Sequence, residues 1–193
     1  ILPKFNKKTK NKIFISFIAG MKISSISTFL GNKKQKIIRI MPNIFIKFNK
    51  SSSALFSKNL SSAEKYKLEK LFSFFGYFVW LKNEDDFNFF TAMFGGGPAY
   101  FIYILNCFNE ISKKSKIKEK DSINLLLKLL EGTTEVLKKY PKDLDLFIKK
   151  VTSKGGTTEE AMKVLKNKNI ILNSFDMALK NATKKSILLA KKY

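Results

Sequence analysis

Near residue 82 the apolar residues of this chain change their spacing, and no single architecture fits both sides of that change. From Lys12 to Leu81, short runs rich in Ile, Val and Phe alternate with helical ones, the pattern of an α/β layer. Lys12–Ile18 and Lys36–Ile40 predict buried strands, with Ile23–Leu30 between them as a short helix closed by Gly31 and Asn32. Pro42 and Asn43 break the second strand, and Ser53–Ser57 predicts a third. Ser61 and Glu64 have capping-box spacing ahead of a helix whose apolar face includes Leu68, Leu71, Phe72 and Phe75, with Gly76 as its stop. Tyr77–Leu81 is the last predicted strand.

After Asn83 only helical patterns remain. Glu84–Phe94 predicts one helix. Gly95, Gly96 and Gly97 break it, and Pro98 stands where a first helical residue belongs, in a helix running to about Ser112. Ser122–Tyr140, Leu144–Val151, Thr158–Asn167 and Asn173–Lys192 complete the set. The expected organisation is therefore an α/β part over residues 1–82 and an all-α part over residues 83–193. No apolar run reaches the roughly 18 residues of a membrane span, so the expectation is a cytoplasmic protein with no membrane partner. The chain opens on Ile1 rather than Met, so a segment of something longer, or an unconventional start site, is expected.

Composition narrows the chemistry. The 193 residues include no His and one Cys, which disfavours metal hydrolases, thiol redox enzymes and His-dependent triads, and no metal site is expected. The formal net charge of +22 invites a polyanion partner. Nearly all of it is lysine, however, scattered along the chain, and Arg39 is the only arginine, whereas base readout and bidentate phosphate contacts favour Arg. No nucleic-acid partner is expected. Cys107 and Trp80 read as packing residues. Glu84, Asp85 and Asp86 read as acids placed at a helix start, where the macrodipole favours them.

Four pieces could carry chemistry. In Val151-Thr152-Ser153-Lys154-Gly155-Gly156-Thr157-Thr158-Glu159-Glu160, Thr157 and Glu160 have capping-box spacing and predict a helix beginning at Thr158. Its first amide hydrogens lack helical partners, and Gly155 and Gly156 would let a ligand approach the backbone. Ser153, Thr157 and Thr158 add neutral hydroxyls. That is either a small-anion site for a carboxylate or phosphate, or an ordinary helix cap after a flexible turn. In Thr91–Tyr100 (TAMFGGGPAY), three glycines predict a loop that a backbone or ligand approaches closely, or one that turns sharply. Ser16–Gly20 (SFIAG) and Met41-Pro42-Asn43 each follow a predicted parallel strand, at the edge where open α/β sheets bind ligands.

Taken in order, SFIAG, MPN, TAMFGGGPAY and VTSKGGTT resemble the motifs of pyrroline-5-carboxylate reductase, from about residue 11 to residue 190. The resemblance implies the C-terminal part of a Rossmann-type nucleotide-binding domain followed by a helical dimerisation domain. It implies reduction of the cyclic imine 1-pyrroline-5-carboxylate to L-proline by NADPH or NADH, in a homodimer or higher homo-oligomer. By position, Ser153, Gly155, Gly156, Thr157 and Thr158 would hold the substrate carboxylate, with the Thr158 hydroxyl on the ring nitrogen as the catalytic contact. Ala19, Gly20, Met41, Pro42 and Asn43 would lie at the cofactor. A chemistry in which the cofactor brings the hydride needs neither His nor metal.

The chain departs from the family pattern in three places. The Gly-rich turn that carries the cofactor pyrophosphate does not precede SFIAG, so a non-catalytic remnant that only dimerises is the alternative reading. With the flanking strands missing as well, an exposed hydrophobic edge is expected beside Lys12–Ile18. Lys154 stands for the usual Pro of the substrate loop, and Gly96 for the usual Ser of the glycine run.

Overall fold

The computed structural model describes residues 12–140 and 143–192, so the outermost residues of both expected domains lie outside it. Four strands form one sheet in chain order: β1 (Ile13–Ser16), β2 (Lys36–Met41), β3 (Ser51–Ser57) and β4 (Gly76–Trp80). β1 and β2 run parallel with Ser16 opposite Arg39, β3 is antiparallel to β2, and β4 is parallel to β3. The sheet is thus mixed, and β1 and β4 are its edges among the described residues, with Ile15 of β1 exposed.

Side-chain alternation along β2 and β3 sorts two cores. Ile37, Ala54 and Phe56 face one side and pack with Ile23 and Ile26 of α1 (Ile23–Phe29), with Leu30 just after it, and with Phe87 and Phe90. Ile38, Ile40 and Leu55 face the other and pack with Leu68 and Phe72 of α2 (Ser62–Ser73). The capping box at Ser61 is present: Ser61 Oγ accepts from Glu64 N–H and the Glu64 carboxylate accepts from Ser61 N–H. Of the predicted apolar face of α2, Leu68 and Phe72 are buried, whereas Leu71 and Phe75 are exposed, because the sheet covers only a narrow stripe of the helix.

Gly76 is more than a helix stop. It opens β4 with φ +133°, and a Cβ there would meet the Ser51 carbonyl oxygen at 2.2 Å. Close approach of β3 to β4 therefore requires glycine. β3 also begins at Ser51, two residues before the expected start, because Ser51 N–H donates to the Phe75 carbonyl.

Beyond β4 the described residues are helical. A 3-10 turn (Glu84–Asp86) leads into α3 (Phe87–Phe90), a π-helical turn (Thr91–Gly95) and α4 (Gly97–Ser112). The expected loop at Gly95–Gly97 does not occur. Gly96 N–H donates to the Thr91 carbonyl at 3.0 Å, and Gly96 keeps right-handed helical angles, so the glycines carry a widened helical turn. α5 (Glu119–Lys139), α6 (Leu144–Lys150), α7 (Thr157–Leu165) and α8 (Ile170–Ala190) follow. α5 and α8 each begin three residues before the sequence pattern suggests. By spatial grouping the chain forms two compact units, one running to Ala99 and resuming at Ala178, the other Tyr100–Met177. No helix among the described residues is long and apolar enough to cross a membrane.

Candidate functional site

Because β1 and β2 are parallel neighbours, their carboxyl ends share one edge of the sheet, and the chain leaves that edge through Ala19–Gly20 and Met41–Asn43. Ala19 is exposed there. Gly20 adopts φ +82°, and a Cβ on it would come within 3.0 Å of the Ala190 Cα. Its glycine character is thus set by packing against the end of α8.

Asn43 is buried, and its side chain is wholly engaged in the fold. Its Oδ1 accepts from Phe45 N–H at 3.1 Å, capping a 3-10 turn (Ile44–Phe48), while its Nδ2 donates to the Phe94 carbonyl at 3.1 Å. Asn43 N–H donates to Ser51 Oγ. A carbonyl in a π-helical turn lies outside the ordinary helical ladder, and Asn43 satisfies that of Phe94. Met41 closes the same contact: its Cε lies 3.7 Å from where a Gly95 Cβ would sit. The structure therefore joins the second piece to the third through Met41–Gly95 and Asn43–Phe94, and leaves Ala19–Gly20 at the same edge of the sheet, packed against α8.

Behind that edge lies an ion pair with no local signal in the sequence. Arg39 is 5 % exposed; its Nη1 donates to Glu84 Oε1 at 2.9 Å, and its guanidinium lies over the Phe87 ring, 4.4 Å from the centroid. The same Glu84 oxygen accepts from Ile23 N–H at 2.7 Å, supplying α1 with the N-terminal cap that Lys22 does not make. Lys22 pairs instead with Asp85 at 2.8 Å and holds its carboxyl below the usual carboxylate range. Glu84 and Asp85 are thus held by partners elsewhere in the fold rather than by their own helix start. The signal that could have found the pair is the survival of one arginine in a lysine-saturated chain.

The fourth piece lies in the other unit. α7 begins at Thr157, and Gly156, with extended angles, is its N-cap. The expected capping box of Thr157 and Glu160 is absent, because Glu160 pairs with Lys163 while the Glu159 carboxylate reaches back to Gly155 N–H at 2.7 Å. Gly155 holds φ +73°, which favours glycine, whereas Gly156 has ordinary extended angles and a Cβ on it would meet mainly the rotatable Ser153 Oγ. Gly156 N–H closes that turn on the Ser153 carbonyl. The N–H groups of Thr157 and Thr158 have no intrahelical partner and no side-chain cap. Ser153, Lys154, Thr157 and Thr158 are exposed. The result is an open, donor-rich helix start with hydroxyls around it and one carboxylate, that of Glu159, turned to the glycine amide. Of the remaining singled-out residues, Trp80 packs over α2 and donates to Glu69, and Cys107 is half-buried.

Comparison with known proteins follows the same outline. Residues 84–189 match the family model described as pyrroline-5-carboxylate reductase dimerisation. Pyrroline-5-carboxylate reductase of Aquifex aeolicus is 31 % identical over 157 residues, 81 % of this chain and 58 % of the relative. That of Haemophilus influenzae is 30 % identical over 156 residues, 80 % of this chain and 57 % of the relative. The chain thus spans less than three-fifths of the length of these curated relatives. Among solved structures, a pyrroline-5-carboxylate reductase from Coxiella burnetii superimposes with a TM-score of 0.89 at 25 % identity, over 96 % of this chain and 69 % of its own. The Plasmodium falciparum pyrroline carboxylate reductase with NADP bound gives 0.87 at 25 % identity, over 98 % of this chain and 71 % of its own.

Proposed function

We infer that this chain, which belongs to the pyrroline-5-carboxylate reductase dimerisation family, is part of a cytoplasmic enzyme that reduces 1-pyrroline-5-carboxylate to L-proline with NADPH or NADH. The observation that supports this reading is that Ala19–Gly20, and Met41–Asn43 with Gly95 packed against it, follow the carboxyl ends of two parallel strands, where open α/β sheets hold nucleotides. The residues present suit a neutral nicotinamide. Ala19 leaves room, and behind it Arg39 and Glu84 neutralise one another. Asn43 would shape the wall of the site, since its side chain and its N–H are already bonded within the fold. A dihydronicotinamide bound there would supply a hydride to the imine carbon.

At the start of α7 the free N–H groups of Thr157 and Thr158 and the Ser153 hydroxyl would take the substrate carboxylate, with the Gly155–Gly156 turn allowing close approach. The Thr158 hydroxyl would hydrogen-bond the ring nitrogen and orient the imine. Lys154 adds a cation beside this loop. The exposed leucines of α5 and α8 support assembly as a homodimer or higher homo-oligomer.

In the protein as its gene encodes it, NADPH consumption should depend on added 1-pyrroline-5-carboxylate. Thr158→Ala should lower kcat by roughly a hundredfold, the scale of one lost transition-state hydrogen bond, with unchanged circular dichroism. Unaltered turnover removes Thr158 from the mechanism. No consumption by the unmutated protein refutes the reductase reading and leaves a dimerising chain.

A further inference from the structure

The chain has a single arginine, Arg39, and it is buried. Lysine carries the same charge, yet its ammonium cannot lie flat on a ring while bonding a carboxylate in plane; a guanidinium does both. At Arg39 both demands apply at once: Phe87 lies 4.4 Å beneath it, and Glu84 is bonded at 2.9 Å. Glu84 passes the constraint to Ile23 N–H at 2.7 Å, three residues beyond Gly20, and Arg39 itself sits two residues before Met41. The neighbouring contacts reinforce this arrangement. Asn88 accepts from Ser186 at 2.9 Å, and Gly20 rests against Ala190.

We propose that Arg39, Glu84 and Phe87 form a clamp that fixes the backbone of the Ala19–Gly20 and Met41–Asn43 turns, making Arg39 and Glu84 positioning residues for dinucleotide binding. The pair lies behind the edge and acts through its neighbours. The first half of the proposal concerns the fold alone. The second rests on reading that edge as the dinucleotide site.

Amide hydrogen exchange tests the first half with no dinucleotide present. Glu84→Gln weakens the charge-assisted bonds and Arg39→Lys removes the stacked plane, so each should speed exchange over residues 20–26 by about tenfold or more while leaving β3 unchanged. Unchanged exchange at Ile23 overturns the clamp. The second half is tested by steady-state kinetics of the native gene product. Both variants should raise KM for NADPH about tenfold with kcat within about twofold, since a misplaced turn weakens binding before it weakens chemistry. Leu55→Ala, a core change on the opposite face of the sheet from the pair, should lower stability with KM unchanged. If Leu55→Ala raises KM equally, or if the clamp variants leave KM alone, the pair is only structural. If the unmutated protein binds no NADPH by fluorescence titration, the reductase reading and the positioning role fail together, while the exchange result still rules on the clamp.

Discussion

The sheet unit and the long helices treat their apolar residues in opposite ways. Leu55 in β3 is 0 % exposed and Leu30 and Ile38 match it, whereas Leu129 in α5 is 63 % exposed and Leu172 in α8 is 65 % exposed. Both regions carry similar hydrophobic content, but only the sheet has two faces closed within the chain, by α1 on one side and α2 on the other. α5, α6, α7 and α8 bury almost nothing among the described residues, Ser122 being the exception. The sheet unit therefore owes its stability to its own chain, whereas the helices leave their apolar residues exposed.

The sharpest way to break this contrast is at the buried ion pair. Arg39→Met leaves Glu84 buried with its charge uncompensated and should cost about 3–5 kcal/mol in urea unfolding. Leu55→Ala should cost about 2–5 kcal/mol in the same measurement, because the packed sheet cannot collapse around the void. A loss below about 1 kcal/mol at both sites would mean the sheet unit is not a self-sufficient core. Asn43→Ala strands the Phe94 carbonyl and should cost about 1–3 kcal/mol, with faster amide exchange at Gly96 and Tyr100 as its local signature.

Ser61→Ala removes the α2 cap and should cost about 1 kcal/mol. The same box carries a pH dependence. The Lys36 ammonium, together with the Ser61 N–H, lowers the Glu64 carboxyl from 4.5 to about 2. A depressed carboxyl favours the fold above its unfolded value, so this contribution is complete above about pH 4.5 and fades as the pH falls towards 2. Lys36→Met should move the Glu64 titration upward, read by NMR. The smallest effect belongs to the helices. Leu129→Ala should change unfolding of the isolated chain by less than about 0.5 kcal/mol, yet weaken self-association in sedimentation. A large unfolding loss there would show that the helices already hold a core of their own.

Short-range chemistry was read well from the residues. The capping box at Ser61, the helix between the first two strands and the break at Pro42 all follow from neighbours within a few positions. The π-helical turn was missed because three glycines look like a loop, and nothing local reveals that Asn43, 51 residues away, satisfies the Phe94 carbonyl. The start of α7 was misplaced by one residue because two glutamates compete for the role of cap. Glu159 wins through the Gly155 amide, a contact that depends on the left-handed turn.

What the sequence determined by itself was the order of elements, the family and the four pieces that carry the candidate chemistry, because each depends on spacing along the chain. What only the tertiary structure decided was why Arg39 is the one arginine, why Gly20 and Gly76 must be glycines, and that Asn43 serves the fold. Those answers depend on groups far apart in sequence meeting, as Arg39 meets Glu84 at 2.9 Å and Asn43 meets Phe94 at 3.1 Å, and burial gives such meetings their weight by withdrawing the water that would otherwise satisfy each group.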